Sequence, residues 1–72
     1  MDLGKIIKQL RIENQISQVE LAKKLNISRQ ALGHYENGDR QINIELIKKI
    51  CVIFDITADE LLEMDDFRKN NK

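Results

Sequence analysis

Four polar residues between positions 28 and 38 have the spacing of one helical face. At about 100° per residue, Arg29, Gln30, His34 and Asn37 fall on a single arc. The opposite arc is apolar and carries Ala31, Leu32 and Tyr35. Arginine can bond guanine O6 and N7 together, and glutamine can do the same with adenine N6 and N7. The pattern predicts a helix that is anchored on one side and reads base edges on the other.

Two small residues belong to the same segment. Ser28 begins the predicted helix and places a small hydroxyl beside Arg29 and Gln30. Gly33 lies inside the helix, where glycine costs about 1 kcal/mol relative to alanine. One reason to accept that cost is close approach of another surface, such as a base edge or a phosphate. His34 either touches that surface or lies at its rim.

Positions on either side of this helix suit phosphate. Gln18 begins the preceding predicted helix, where free backbone N–H groups and the positive end of the helix dipole favour an anion. Arg40 follows the polar helix and suits a second phosphate, to which Asn37 and Gly38 could also donate. The alternative for Gln18 is a solvated helix start without a ligand.

Helix caps and apolar periodicity predict five helices and no strands. The first helix runs from about Asp2 to Asn14, on the spacing of its apolar residues. The other four begin at predicted N-caps: Ser17, Ser28, Asn43 and Thr57. The first and last of these have Glu20 and Glu60 three residues later, which makes each a capping box.

Each of these four caps also has an apolar pair around it. A hydrophobic staple joins the residue before the cap to the fourth helical residue. The predicted pairs are Ile16–Leu21, Ile27–Leu32, Ile42–Ile47 and Ile56–Leu61. Four pairs in register support the helix boundaries. In the last helix we expect Leu61 and Leu62 to be buried.

Only about three residues, Leu25-Asn26-Ile27, separate the second and third helices. Helices joined so tightly cross at a steep angle. Ala22 then lies near the crossing, where a larger side chain would hold the helices apart. Asn26 lies in the turn and tolerates a left-handed backbone. This is the arrangement of a helix-turn-helix, over residues 17–37.

Residues 6–62 resemble the Cro/repressor-type helix-turn-helix family, which is XRE-like and has the lambda-repressor-like fold. The resemblance is carried by Ser17-Gln18-x-Glu20-Leu21-Ala22, Leu25-Asn26-Ile27-Ser28-Arg29-Gln30, Tyr35-Glu36-Asn37-Gly38, Leu46-Ile47-Lys48-Lys49-Ile50 and Asp59-Glu60-Leu61-Leu62. The chain departs from it at Asn26, where the family usually has glycine.

This resemblance implies an all-α, compact five-helix bundle that binds operator DNA and frequently dimerises. It also implies phosphate contact at Gln18 and base contact from Arg29, Gln30 and His34. We therefore expect a bacterial or phage transcription regulator, most simply a repressor that binds a palindromic operator as a homodimer. An alternative is an antitoxin, which uses this fold, binds a protein partner and still binds DNA.

Charge is distributed unevenly along a chain whose formal net charge is +0. Residues 1–40 carry seven Lys/Arg and five Asp/Glu, and residues 41–72 carry five and seven, so the two parts are +2 and −2. Because the acidic part suits DNA poorly, we expect it to form the dimer interface through Ile53, Met64 and Phe67. The alternative is that Met64 and Phe67 cover the monomer core.

We predict a folded domain over residues 1–64 and a polar tail that frays over residues 65–72.

Other chemistries find little support. Cys51 lies on the apolar face of the fourth helix and is expected to be an inert thiol. His34 has no metal-ligand partner at suitable spacing on its face. The sequence also contains no glycine loop for phosphate and is too short for a closed pocket, so we expect neither an enzyme nor a cofactor. The single cysteine and the absence of an apolar run of about 18 residues lead us to expect a cytoplasmic protein.

Overall fold

The computed structural model describes the backbone of residues 3–70 and the side chains of residues 3–64. The secondary structure of this part of the chain consists of five α-helices. They are α1 (Leu3–Glu13), α2 (Gln18–Leu25), α3 (Arg29–Asn37), α4 (Ile44–Phe54) and α5 (Ala58–Asn70). The all-α prediction is confirmed. Among the described residues, no helix has the length and apolar composition needed to cross a membrane.

The predicted N-caps all form. Ser17, Ser28 and Asn43 each accept a hydrogen bond from the backbone N–H three residues later, which satisfies one of the free donors of the first turn. Ser17 with Glu20 forms a complete capping box. Thr57 and Glu60 make the same pair of reciprocal bonds at the start of α5, at 3.0 and 3.1 Å.

Three of the four connections repeat one three-residue pattern. A residue with positive φ ends the helix, an isoleucine follows, and a serine or threonine caps the next helix. The three segments are Gln15-Ile16-Ser17, Asn26-Ile27-Ser28 and Asp55-Ile56-Thr57. In each, the isoleucine N–H bonds a carbonyl five residues earlier, as in a Schellman end. The fourth ending uses Gly38, with φ of 83°, and leads into the longer loop before α4.

The core has two clusters with α1 between them. Ile7 on α1 faces the first cluster, which contains the buried apolar residues of α2, α3 and α4. Leu3, Ile6 and Leu10 face the second, around Leu61 of α5. The two residues of each predicted staple belong to the same cluster. Each isoleucine therefore sets the direction in which its chain segment enters the next helix.

Gly4 allows α1 to approach α3 closely. A Cβ atom at this position would collide with the Tyr35 carbonyl oxygen and lie 3.1 Å from the Glu36 carbonyl oxygen. These are backbone atoms of a packed helix and have little freedom to move aside. The glycine, which the sequence analysis did not single out, is therefore a packing requirement of the first helix.

One expectation for the C-terminal part was wrong, that of a buried Leu62. Leu62 is 42% exposed, because only Leu61 of the adjacent pair faces the core. Ile53 and Met64 have core positions, since each is half-buried and packs against one of the two clusters. The backbone of helix α5 continues to Asn70, six residues past the domain boundary that we propose at residue 64. The side chain of Phe67 lies outside the described residues.

The two helical glycines provide a matched pair of variants. Gly4→Ala should lower the free energy of unfolding by about 1–3 kcal/mol, because it overpacks the contact between α1 and α3. Gly33→Ala should instead raise it by about 0.5–1 kcal/mol, since alanine favours a helix and the new Cβ meets nothing within 4 Å. Urea denaturation measures both. Equal effects at the two positions would contradict this account of Gly4.

Candidate nucleic-acid interface

The α2–α3 pair has the geometry that the short connection predicts. Asn26 adopts the left-handed conformation, with φ of 59° and ψ of 43°, and its N–H bonds the carbonyls at the end of α2. Ala22 is 3% exposed and belongs to the core cluster shared by both helices. Leu32 is fully buried and anchors α3 on its apolar side. The opposite side of α3 therefore remains open to solvent.

A shallow surface depression lies along this open side of α3. We call it the recognition depression. Its lining residues are Gln18, Arg29, Gln30, Gly33, His34, Asn37 and Asp39. Six of the eight residues predicted to bind DNA therefore come together, from the start of α2 and the exposed face of α3. Nothing lies within 4 Å of the space where a Gly33 Cβ would stand, so the floor is open to an approaching surface.

The other two predicted residues lie outside the depression. Ser28 is the N-cap of α3, and its Oγ accepts the Ala31 N–H at 3.0 Å. Its hydroxyl hydrogen remains available for donation. Arg40 stacks over the Tyr35 ring, with its guanidinium carbon 5.7 Å from the ring centroid. It lines a different groove, beside Gly4 and Gly38.

A buried ion pair lies directly beneath the recognition depression. The Glu36 side chain is 1% exposed and that of Arg11 is 12% exposed. Arg11 Nε donates to Glu36 Oε2 at 2.8 Å, and its Nη2 donates to Oε1 at 3.3 Å. Arg11 Nη1 also donates to the Ile16 carbonyl oxygen at 3.1 Å. The pair thus ties α1 to α3 and to the turn that precedes α2.

This ion pair extends to the surface through Gln18. The Gln18 amide Nε2 donates to Glu36 Oε1 at 3.0 Å. Its Oε1 in turn accepts from Arg29 Nη1 at 3.4 Å. A continuous chain of polar contacts therefore runs from Arg11 to Arg29. Gln18 retains one amide hydrogen and its backbone N–H at the start of α2, which are the donors that a phosphate could use.

Comparison with known proteins identifies the family. A family described as "Helix-turn-helix" matches residues 7–61, which is most of the chain. The chain belongs to this helix-turn-helix family. The match includes the turn between α2 and α3 and the whole recognition depression.

Relatives of this helix-turn-helix domain include regulators and an antitoxin. It is 38% identical over 63 residues to antitoxin PezA of Streptococcus pneumoniae, covering 88% of this chain and 40% of that protein. It is 33% identical over 72 residues to the HTH-type transcriptional regulator ImmR of Bacillus subtilis, covering 100% of this chain and 57% of ImmR. The HTH-type transcriptional activator BcrR of Enterococcus faecalis is 35% identical over 92% of this chain and 32% of its own length. The chain thus spans between a third and just over half of these relatives.

A solved structure has the same fold. The clp gene regulator ClgR from Corynebacterium glutamicum superposes with a TM-score of 0.79, over 85% of this chain and 65% of that one. The sequence identity is 23%, so the likeness concerns the fold.

Two features of the helix-turn-helix were not predicted. The first is the ion pair of Glu36, whose partner is Arg11, 25 residues earlier. The burial of Glu36 at 4% was missed because α3 places it between α1 and α2, a contact that helical periodicity alone does not show. Asp39 was missed as a lining residue. Its Oδ2 lies 3.7 Å from His34 Nδ1, and both side chains are about half exposed or more.

The remaining chemical candidates stay outside this interface. Burial raises the pKa of the Cys51 thiol, and the negative charge of Glu60 raises it further. A raised pKa lowers the thiolate fraction, in keeping with the inert role expected for Cys51. The side chains that the structure describes include no cluster of three or more metal-ligating residues.

Substitution of Arg11 tests how much the buried ion pair contributes to the free energy of unfolding. Arg11→Met leaves the Glu36 carboxylate buried without its cation, and we expect the free energy of unfolding to fall by about 3 kcal/mol. The double variant Arg11→Met/Glu36→Gln removes the charge and keeps an acceptor for Gln18. It should recover at least about half of that loss. Urea denaturation compares the two, and a double variant as unstable as the single one would contradict the role of the ion pair.

Proposed function

We propose that this chain is the sequence-specific DNA-binding module of a transcription regulator, and that it represses transcription by occupying its operator. The observation that carries the proposal is the recognition depression. It gathers Arg29, Gln30, His34 and Asn37 on the open face of α3, where an incoming major groove meets no obstruction. Helix-turn-helix membership and the names of ImmR and BcrR support a DNA-binding transcription regulator. Both relatives are named as transcription regulators, in line with a binding module rather than an enzyme.

Within this proposal the residues divide between bases and backbone. Arg29 and Gln30 occupy the first turn of α3, the part of a recognition helix that reaches deepest into the groove. They read base edges, and His34 does so from the next turn. Gln18, Ser28, Asn37 and Arg40 bind phosphate, and Gly33 allows the backbone to come close.

The full binding unit is a homodimer on a palindromic site. One module of this size contacts too few base pairs to single out a site among a genome's competitors. Two copies on a two-fold axis double the contacts and place half-sites about 34 Å apart. The interface lies in the acidic C-terminal part, around Ile53, Met64 and Phe67. Because Ile53 and Met64 also pack against the core, their exposed portions alone are available to a partner.

A second candidate function is that of an antitoxin, and the relationship to PezA favours it. In that case the chain neutralises a protein partner and binds DNA as well. A gel shift with genomic fragments and a pull-down from the source cell distinguish the two. Sequence-specific retention of DNA without a stoichiometric protein partner supports the regulator.

Binding-site selection tests the main proposal, and two substitutions test its residues. Arg29→Ala and Gln30→Ala should each cost on the order of 1–3 kcal/mol at the selected operator. Their effect on random DNA should be much smaller. Arg40→Ala is the matched control, since a lost phosphate contact weakens all sequences about equally. Fluorescence anisotropy on both DNAs measures the ratio, and equal losses for Arg29→Ala on both would refute base reading by this residue.

The salt dependence of DNA affinity tests how many phosphates the module neutralises with full charges. The recognition depression contains one arginine, Arg29, and one carboxylate, Asp39, so neutral donors do much of the positioning. We expect the slope of log affinity against log salt to correspond to about two to four neutralised phosphates per monomer. A slope close to that of a strongly basic DNA-binding protein would contradict this prediction.

A further inference from the structure

Three lysines surround an exposed apolar spot on the side of α2 and α4. We call this surface the lysine patch, and its lining residues are Lys24, Lys48, Lys49, Val52 and Ile53. Val52 is 81% exposed, more than any other large hydrophobic residue among those described. Lys49 Nζ donates to the Leu25 carbonyl oxygen at 3.3 Å, which holds this lysine beside the patch. No acidic residue lines it.

The composition of the lysine patch fits a protein better than it fits DNA. It shares no residue with the recognition depression, and Lys24 lies near the opposite end of α2 from Gln18. A phosphate backbone offers nothing to the exposed valine at the centre. An apolar centre with a basic rim instead suits an apolar side chain flanked by carboxylates.

The chain itself presents a surface of that kind on α5. Leu62 is 42% exposed and lies on the same side of the helix as Asp59 and Glu63, which are both exposed. Positions 59 and 63 are four residues apart and hence neighbours on the helix surface. The segment from Asp55 to Asp66 contains six acids and no basic residue. We call the surface formed by Asp59, Leu62 and Glu63 the acidic face.

We propose that the lysine patch of one copy binds the acidic face of a second copy, with Leu62 of the second against Val52 of the first. This inference rests on the homodimer of the proposed function. It keeps Ile53 at the interface, as part of the lysine patch, and adds the acidic face that precedes Met64 on α5. Under two-fold symmetry each contact occurs twice, so two apolar contacts and two sets of ion pairs hold the dimer. Because the paired charges are exposed, the dimer is weakened by salt and is completed on DNA.

A charge exchange tests this pairing in the full chain without DNA. Lys48→Glu and Glu63→Lys should each raise the dimer dissociation constant about tenfold, since each places like charges together twice in the dimer. The double variant Lys48→Glu/Glu63→Lys should return to within about threefold of the parent. Val52→Ser should weaken association without changing its salt dependence. Lys8→Glu, an equal charge change on the exposed side of α1, is the control and should have no effect.

Sedimentation equilibrium at low and high salt gives the dissociation constants, and circular dichroism shows that each variant is folded. Unchanged association in Lys48→Glu and Val52→Ser overturns the proposal. A double variant whose dissociation constant stays as high as that of the single variants also overturns it, because then the two surfaces do not face each other. Weaker DNA binding by Lys48→Glu with unchanged association assigns the lysines to phosphate instead. The loss of operator preference in Arg29→Ala separately tests base reading by α3, and this part of the proposed function stands even where the chain binds DNA as a monomer.

Discussion

The ion pair between Arg11 and Glu36 is the contact on which the arrangement of the recognition depression depends. Charges so far from water are stable only when they are paired and their remaining hydrogen-bonding capacity is satisfied. Arg11 meets that condition through the Ile16 carbonyl, and Glu36 through Gln18. The same bonds that neutralise the buried charges therefore fix three helices relative to one another. They also hold the first polar side chain of α2 against Arg29 on α3.

Around this contact, the repeated three-residue connection sets the helix directions. A left-handed residue stops each helix, a capping hydroxyl starts the next, and the isoleucine between them enters the core. Only one residue in each connection faces the interior, so the change of direction requires little buried backbone. In the α2–α3 connection, the shortness of the loop also matters for the candidate interface. A longer loop at Asn26 would stand beside the first turn of α3, which carries Arg29 and Gln30, and would obstruct the open side of that helix.

The local part of this structure was predictable from the sequence, and the non-local part was not. Ser17 and Thr57 predict helix starts because capping depends on residues three positions apart. Gly38 and Asn26 predict helix ends because each residue readily adopts the left-handed conformation. Glu36 and Gly4 depend on the crossing of α1 and α3, which no short window of sequence contains. The same holds for Asp39, which follows the end of α3 and turns back beside His34. The interface residues were proposed from residue type and helical arc, whereas the polar contacts that connect Gln18 and Arg29 to Arg11 became visible only in the fold.

Under the proposed function, the distribution of charge on α3 allows a chain without net charge to discriminate between DNA sequences. Arg29 lies at the positive end of the helix dipole and Asp39 just beyond the negative end, so the side chains and the backbone reinforce one polarity. This polarity favours an anion at one end of the recognition depression and disfavours it at the other, and we expect it to orient a bound duplex. Attraction to arbitrary DNA stays weak because few phosphates are neutralised by full charges. In the proposed dimer, affinity then comes from correctly matched bases and from the second copy, so that a mismatched half-site lowers both contributions.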